Sequence, residues 1–325
     1  MNKLFYIFFC ALLITSCKKD KTPLAETIPA HAPDNFELLT TVPAPYSLGF
    51  LRVGPNGQLI WSVDEIWRSS DLGETWYQVN SPGGSWAAAV VSANTFFVGS
   101  QNLYRTTDNG VNYTQVLSGS TSGNTYDVEY LGGNTILVSC DRIKKSTDLG
   151  ATWTDVYNQD LDSATVQEMQ FINSNCGYVM TTPDINSLLD VLLLKTVNGG
   201  NSWEPSLIVP NSICVDFHFA SSNVGYALIV NSNNVITLYK TTNGGQNWIT
   251  IPFTGIFPGM IHFYNETEGY VATNGNLYLT KDGGYNWEQL AITWDNLVDP
   301  LNSIVHYKGK VFLAFYSGKL YRSTL

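Results

Sequence analysis

Three of the four histidines in the sequence are evenly spaced. His218, His262 and His306 follow one another at intervals of 44 residues, and each directly precedes an aromatic residue. Neutral imidazoles are ligands for zinc and copper, and histidine is also suited to proton transfer near neutral pH. The even spacing indicates that the three side chains occupy equivalent positions in a repeating structural unit, so that they could lie side by side.

Further polar residues fall into the same register of the repeat. The position directly before the aromatic or valine residue forms one column, and the position two residues earlier forms a second. Because side chains alternate along a strand, both columns lie on the same side of it. The candidate ligand-binding residues of the two columns are Arg52, Asp127, Glu129, Glu168, Gln170, Asp216, His218, His262 and His306.

Three interpretations of these columns are open. The one we favour is that the polar groups hydrogen-bond to one another and to channel water, as buried polar groups must. The second is a ligand pocket at the mouth of a central channel, with Asp127, Glu168 and Asp216 nearest the opening. The third is a metal site. Since neighbouring strands of a wide ring would hold the imidazoles apart, we assign no metal and no cofactor.

A seven-residue segment recurs six times along the chain, at residues 70–76, 107–113, 147–153, 197–203, 242–248 and 281–287. The second residue carries a carboxylate or amide, which can accept backbone N–H groups two or three residues on. A glycine two positions later supplies a positive φ, and the last residue is an aromatic anchor. We therefore interpret the acidic or amide residue as structural in each copy: Asp71, Asp108, Asp148, Asn198, Asn243 and Asp282.

The repeated segment resembles the Asp-box, also called the BNR repeat, of β-propellers. Three successive repeats also carry an aromatic–glycine pattern, at Phe171-x5-Gly177-Tyr178, Phe219-x5-Gly225-Tyr226 and Phe263-x5-Gly269-Tyr270. This combination is similar to the photosystem II stability/assembly-factor type of propeller, and more distantly to sialidases. The resemblance to the assembly factors implies a propeller that scaffolds a partner without chemistry of its own.

The spacing of the boxes predicts the architecture. Successive boxes are 37 to 50 residues apart, and a period near forty with several short strands per unit is typical of propeller blades. Residues 319–325 align with the strand before the first box, and residues 35–39 resemble the strand after the last box. We predict an all-β, seven-bladed β-propeller with four-stranded blades over residues 34–325, whose last blade is completed by the N-terminal strand.

The first 33 residues predict export and anchoring. Residues 1–16 read as a signal peptide with a basic Lys3 and a short apolar run, and Ile14-Thr15-Ser16-Cys17 resembles the bacterial lipobox. The resemblance implies lipidation of Cys17, and residues 17–33 then form a tether. The expected location is the bacterial cell envelope, periplasmic or surface-facing, with membrane contact through the lipid anchor only.

Composition argues against nucleic-acid binding, and the arginine positions argue against a sialidase. A net charge of −10 argues against a nucleic-acid groove. A sialidase needs three clamping arginines, but three of the five here, Arg68, Arg105 and Arg322, share a column with Lys145, Lys195 and Lys240. We interpret that column as packing or surface pairing within the hairpin, which leaves too few arginines for a clamp. Whether Cys140, Cys176 and Cys214 form a disulfide stays open.

Two functions follow from these observations. The sequence favours a monomeric, non-catalytic lipoprotein whose propeller binds a protein or glycan through its ring face. The alternative is a glycoside hydrolase that uses two carboxylates of the inner strands, since any pair at a suitable separation would serve.

Overall fold

The computed structural model describes residues 31–42, 50–63, 65–83, 85, 87–119, 125–140, 142–157, 165–182, 191–251, 253, 258–273, 275–294 and 299–324. These residues form seven four-stranded antiparallel sheets. Within the described ranges no helix is long and apolar enough to span a membrane. The fold is the predicted all-β, seven-bladed propeller. The predicted signal peptide, Cys17 and the tether up to residue 30 lie outside the described residues.

The strands are numbered in chain order. β1 is Phe36–Thr41. Blade 1 contains β2 (Phe50–Val53), β3 (Leu59–Val63), β4 (Glu65–Ser69) and β5 (Tyr77–Val79), and blade 2 contains β6 (Ala87–Val90), β7 (Phe96–Gly99), β8 (Leu103–Thr106) and β9 (Thr114–Leu117). Blade 3 contains β10 (Asp127–Gly132), β11 (Thr135–Ser139), β12 (Ile143–Ser146) and β13 (Thr154–Tyr157), and blade 4 contains β14 (Thr165–Phe171), β15 (Gly177–Thr182), β16 (Val191–Thr196) and β17 (Glu204–Val209). Blade 5 contains β18 (Ser212–Phe219), β19 (Gly225–Asn231), β20 (Ile236–Thr241) and β21 (Ile249–Ile251), and blade 6 contains β22 (Pro258–Phe263), β23 (Gly269–Thr273), β24 (Asn276–Thr280) and β25 (Glu288–Thr293). Blade 7 contains β26 (Leu301–Tyr307), β27 (Lys310–Phe315) and β28 (Lys319–Ser323).

The N-terminal strand closes the ring as predicted. β1 pairs with β28 in antiparallel register, from Phe36 opposite Ser323 to Thr41 opposite Lys319. The fourth strand of blade 7 is therefore supplied from the other end of the chain. This pairing removes an exposed sheet edge, which would otherwise be a site for unwanted strand addition.

The Asp-box turns form at all six predicted positions, with one correction. At the first box, Asp71 accepts the backbone N–H of Thr75 at 2.9 Å and the Thr75 hydroxyl at 2.6 Å. The backbone donor that recurs lies four residues after the acceptor, not two or three. The same bond occurs at Asp108, Asp148, Asn198, Asn243 and Asp282. The side chains at these positions stabilise turns, as the sequence indicated.

Each box also needs two successive residues in the left-handed region, whereas the sequence predicted one. In the fourth box Gly199 and Gly200 have φ values of 68° and 79°, and in the third box Leu149 and Gly150 have 55° and 84°. A leucine tolerates this conformation poorly. The fixed hydrogen bonds of the box must therefore impose it.

The basic column before the boxes joins neighbouring blades, which corrects its interpretation as packing within one hairpin. Lys145 donates to the carbonyl of Gly199 at 2.7 Å, and Lys195 donates to that of Gly244 at 2.6 Å. In both cases the acceptor lies in the box of the next blade. Equivalent contacts to the next box are made by Arg68, Arg105, Lys240 and Arg322. Six of the seven blade junctions in the described structure carry such a contact.

The aromatic–glycine pattern is explained by direct packing. Phe219 pairs with Gly225 across β18 and β19, and a Cβ atom at Gly225 would stand 2.3 Å from the Phe219 ring. Phe219 also stacks on Tyr178 of the preceding blade, with ring centroids 3.4 Å apart. Only glycine leaves room for this ring, so the pattern fixes the blade-to-blade spacing.

The box geometry predicts a large cost for Gly200→Ala. The residue has a φ of 79°, and an added Cβ would lie 2.4 Å from the Leu137 side chain. Backbone strain alone costs about 1–3 kcal/mol, and the clash adds to it. Gly133→Ala is the matched control, because its φ is 58° and nothing lies within 4 Å of the added Cβ. Urea unfolding should show a clearly greater loss for Gly200→Ala; equal losses would contradict this account.

Candidate functional site

Eight of the nine candidate residues line two cavities in the central channel. The acidic cavity, about 410 Å³, lies where the inner strands begin and is lined by Arg52, Asp127, Glu168, Asp216, His218 and His262 among others. The turn-side cavity, about 630 Å³, lies at the opposite end and includes Arg52, Glu129 and His306. Arg52 contributes to both cavities. The ninth residue, Gln170, is engaged with the neighbouring blade instead.

The carboxylates of the channel hold neighbouring blades together. Each inner strand is a sheet edge whose N–H groups need partners from outside its own sheet. Asp127 accepts the N–H of Met169 in the next blade at 3.0 Å, and Asp216 accepts that of Ile261 at 2.7 Å. Asp127 and Asp216 therefore complete the hydrogen bonding of the following inner strand.

A second set of hydrogen bonds lies two residues further along the inner strands, at the position directly before the aromatic residue. Gln170 accepts the N–H of Phe219 at 2.7 Å and donates to its carbonyl at 3.0 Å. His218 accepts the N–H of Phe263 through Nδ1 at 3.2 Å. Members of both columns thus hydrogen-bond to the backbone of the next blade. The favoured interpretation expected bonds to one another and to channel water, and did not name this role.

The acidic cavity holds more carboxyl groups than cations. Arg52 pairs with Asp127 at 3.2 Å. Burial acts to lower the pKa of Arg52, but Asp127, Glu168 and Glu129 outweigh it and the pKa is raised. Burial raises the pKa of Asp216 to about 7 and that of Glu168 well above its usual value. These two carboxyls share a hydrogen bond, in which the protonated Glu168 donates to Asp216.

The three histidines are adjacent and neutral. His262 Nε2 lies 2.7 Å from His306 Nδ1, and the rings of His218 and His262 are 4.3 Å apart between centroids. Burial lowers the pKa of His218 to about 3 and also depresses those of His262 and His306. Among the described residues, no three His, Cys, Asp or Glu side chains form a group that could hold a metal ion.

The turn-side cavity contains one more buried acid. Burial raises the pKa of Glu129 to about 8, and the nearby Asp127 adds to the shift. Glu129 is therefore protonated at neutral pH. Tyr130 and Tyr307 line the same cavity, but their hydroxyls donate to the carbonyls of Gly133 and Pro55. Among the described residues that line this cavity, Arg52 is therefore the one charged side chain.

The geometry of the Glu168–Asp216 pair does not fit glycoside hydrolysis. Retaining enzymes hold their two carboxyls about 5–5.5 Å apart, and inverting enzymes hold them farther apart. Glu168 and Asp216 are in direct hydrogen-bond contact. The oxygens of Asp216 also accept the N–H groups of Phe217 and Ile261. A carboxylate with both oxygens committed to the backbone is poorly placed to act as a nucleophile or base.

β-Bulges bring to the acidic cavity three residues that lie outside the two sequence columns. The inner strands of blades 5, 6 and 7 shift register near their starts, which displaces Val215, Gly259 and Asn302. All three line the acidic cavity. Ser303 follows the last bulge and accepts the N–H of Leu51 at 3.1 Å, which joins blade 7 to blade 1. A bulge inserts one residue and breaks the column alignment, so counting alone could not find them.

Comparison with known proteins supports the resemblance seen in the repeats. Residues 149–293 match the family model of the photosynthesis system II assembly factor YCF48. The structure superposes on YCF48 from Cyanidioschyzon merolae with a TM-score of 0.69 and 16% identity, over 89% of this chain and 98% of that one. The chain is a BNR-type propeller that resembles the photosystem II assembly factor.

Curated relatives match this BNR-type propeller over a shorter stretch. The photosystem II stability/assembly factor HCF136 of Arabidopsis thaliana is 33% identical over 104 residues, which is 30% of this chain and 25% of the relative. The matched region thus spans about a quarter of the curated relatives. The GH74 enzyme of Niastella koreensis shares the fold, with a TM-score of 0.58 and 18% identity over 83% of this chain and 50% of that one.

The buried titratable groups predict a stability maximum between about pH 4.5 and 6.5. The folded protein keeps protons on Glu129 and on the Glu168–Asp216 pair. The folded pKa values of Glu129 and Asp216, about 8 and 7, exceed the ordinary 4.5 and 3.8, and the pKa of Glu168 is also raised, so stability falls as pH rises toward 8. His218 stays neutral down to about pH 3, whereas the unfolded chain binds its proton near 6.5, so stability also falls in acid.

Denaturant unfolding measured from pH 3 to 9 tests this profile. Glu129→Gln should flatten the alkaline limb and leave the acid limb unchanged, because glutamine replaces the protonated acid without a charge to bury. A free energy of unfolding that rises steadily from pH 6 to 8 would contradict the assignment.

Proposed function

We propose that the protein is a non-catalytic, lipid-anchored scaffold of the bacterial cell envelope that binds a segment of a protein partner on the ring face carrying the acidic cavity. The observation that carries this proposal is the composition of that cavity. It combines an excess of carboxyl groups with apolar walls and opens at the end where the inner strands begin.

The charge balance of the cavity favours a cationic ligand. Asp127, Glu168 and Asp216 face one cation, Arg52, which is already paired with Asp127. The Glu168–Asp216 pair keeps its proton because two buried negative charges without a cation are costly. An entering ammonium group would replace that proton and let both carboxyls ionise. Charge-assisted hydrogen bonds of this kind are the strong ones.

The apolar residues fit the rest of such a ligand. Phe50, Met180 and Met260 line the same cavity, and a lysine side chain has a methylene stem that packs on surfaces of this type. Ile213 and Val235 are exposed at the same end of blade 5, since β18 begins where β19 ends. A peptide with a lysine between apolar residues would therefore match both the cavity and its rim.

A structural relative supports the peptide ligand, and the predicted signal peptide with Cys17 supports the lipid anchor. A solved structure of YCF48 bound to D1 peptide superposes on this chain with a TM-score of 0.64 and 16% identity, over 91% of this chain and 99% of that one. That propeller binds a peptide, which makes a peptide a reasonable ligand here. Anchoring rests on the lipobox-like Cys17. The intact mass of the mature protein, compared with Cys17→Ser, tests for the acyl chains.

The cavity predicts selective binding of lysine-containing peptides. A degenerate peptide library with a fixed central lysine should bind more tightly than the same library with norleucine, by about tenfold or more, because the ammonium gains charge-assisted hydrogen bonds. Fluorescence anisotropy with labelled libraries measures this difference. Glu168→Gln should largely abolish the preference, because one of the two carboxylates is then lost.

Glu129→Gln is the matched control, since it makes the same change in the turn-side cavity and should leave the lysine preference intact. Equal affinity of the lysine and norleucine libraries for the unmodified protein would overturn the proposed ligand. Binding of neither library, with binding of oligosaccharides, would replace the peptide by a glycan partner.

A further inference from the structure

One blade junction lacks the contact that joins the other six. At the junction of blades 4 and 5, both Lys195 and the Tyr178 hydroxyl donate to the carbonyl of Gly244, in the box of the next blade. Blade 7 has no such box to offer blade 6, because its third and fourth strands, β28 and β1, come from opposite ends of the chain. The corresponding position of blade 6 is Leu279, which is buried and cannot donate.

Residues 31–33 occupy this junction. His31 Nδ1 lies 2.7 Å from a carboxylate oxygen of Glu268, and the backbone N–H of Ala32 donates to the other oxygen. The Tyr270 hydroxyl, equivalent to that of Tyr178, donates to the carbonyl of Pro33 at 2.5 Å. Ala32 is buried in the same apolar cluster as Leu279.

Among the three blades with the aromatic–glycine pattern, blade 6 alone has an acidic residue, Glu268, directly before the glycine. The equivalent residues before the glycine of the aromatic–glycine pattern are Cys176 in blade 4 and Val224 in blade 5, both buried. Glu268 is only 5% exposed. A buried carboxylate needs partners, and it finds them in His31, the Ala32 N–H and, more weakly, Asn265 at 3.4 Å.

We propose that His31–Pro33 acts as a clasp that takes the place of a seventh Asp-box. The docking site is the notch on blade 6 formed by Glu268, Tyr270 and Leu279, and its occupant is the chain's own segment. The clasp closes the one junction that the repeat leaves open. It also fixes where residue 31, the first residue that the structure describes, lies on the propeller.

That point lies on the ring face opposite the acidic cavity. Glu268 belongs to the turn between the first two strands of blade 6, and the boxes contact these same turns, as Gly283 N does with the Thr267 carbonyl at 2.7 Å. The acidic cavity opens at the other end of the inner strands. If Cys17 is lipidated, as proposed above, the clasp directs the cavity away from the lipid surface and leaves it free for a partner.

Hydrogen exchange on the full mature protein tests the clasp. The Ala32 amide should be protected, and Glu268→Ala should reduce that protection by about tenfold or more because its acceptor is lost. Protection within β1 should be retained, which separates clasp opening from unfolding. Glu266→Gln, an exposed acid in the same turn, should change neither. An unprotected Ala32 amide in the unmodified protein would overturn the clasp.

The orientation is tested on lipidated protein in vesicles that contain nitroxide-headgroup lipids. A fluorophore at Val111→Cys, in the second box, should be quenched more than one at Val235→Cys on the cavity face. Glu268→Ala should shrink the difference. Equal quenching while Ala32 stays protected would overturn the orientation and leave the clasp standing. An unlipidated intact mass would instead remove the anchor and leave the clasp result untouched.

Discussion

The structure depends on how the free edges of seven inner strands obtain hydrogen bonds. A propeller blade pairs its inner strand on one side only, so the N–H groups on the channel side need acceptors from elsewhere. Here the acceptors are side chains of the preceding blade, as with Asp127 toward Met169 and His218 toward Phe263. The polar columns of the channel are therefore a consequence of closing a ring of edges, whatever else they do.

The need for hydrogen-bond acceptors along the inner strands also creates the candidate binding site. Carboxylates serve well as acceptors of N–H groups, but several in one channel repel one another and lose hydration. The structure resolves this by pairing Asp127 with Arg52 and by leaving a shared proton between Glu168 and Asp216. A group held protonated only because it is buried is poised to ionise when a cation arrives. Structural hydrogen bonding and the proposed ligand recognition thus use the same side chains, which is why sequence patterns could not separate them.

The sequence was most informative where one residue type serves one local purpose. The six boxes and the aromatic–glycine pattern are local in the chain, and the pairing of β1 with β28 could be predicted because each strand resembles its counterpart in another blade. The structure confirms all three. The sequence could not show which residues of neighbouring blades contact one another. The basic column reaches the next blade, the bulges at Val215 and Gly259 bring these residues to the cavity wall, and His31 meets Glu268 from 237 residues away. The bulges and the His31 contact leave no periodic signal in the sequence. The basic column is periodic, but its spacing does not show which blade it contacts, because that is set by how neighbouring sheets twist and pack.

The central claim is that the shared proton of the acidic cavity marks a site for a cationic side chain. Calorimetry of lysine-peptide binding near pH 7, repeated in two buffers with different ionisation enthalpies, tests it most directly. We expect net proton release on binding, lost in Glu168→Gln, because the ammonium replaces the proton between Glu168 and Asp216. Binding with an identical heat in both buffers would mean that the pair keeps its proton, and would contradict the account.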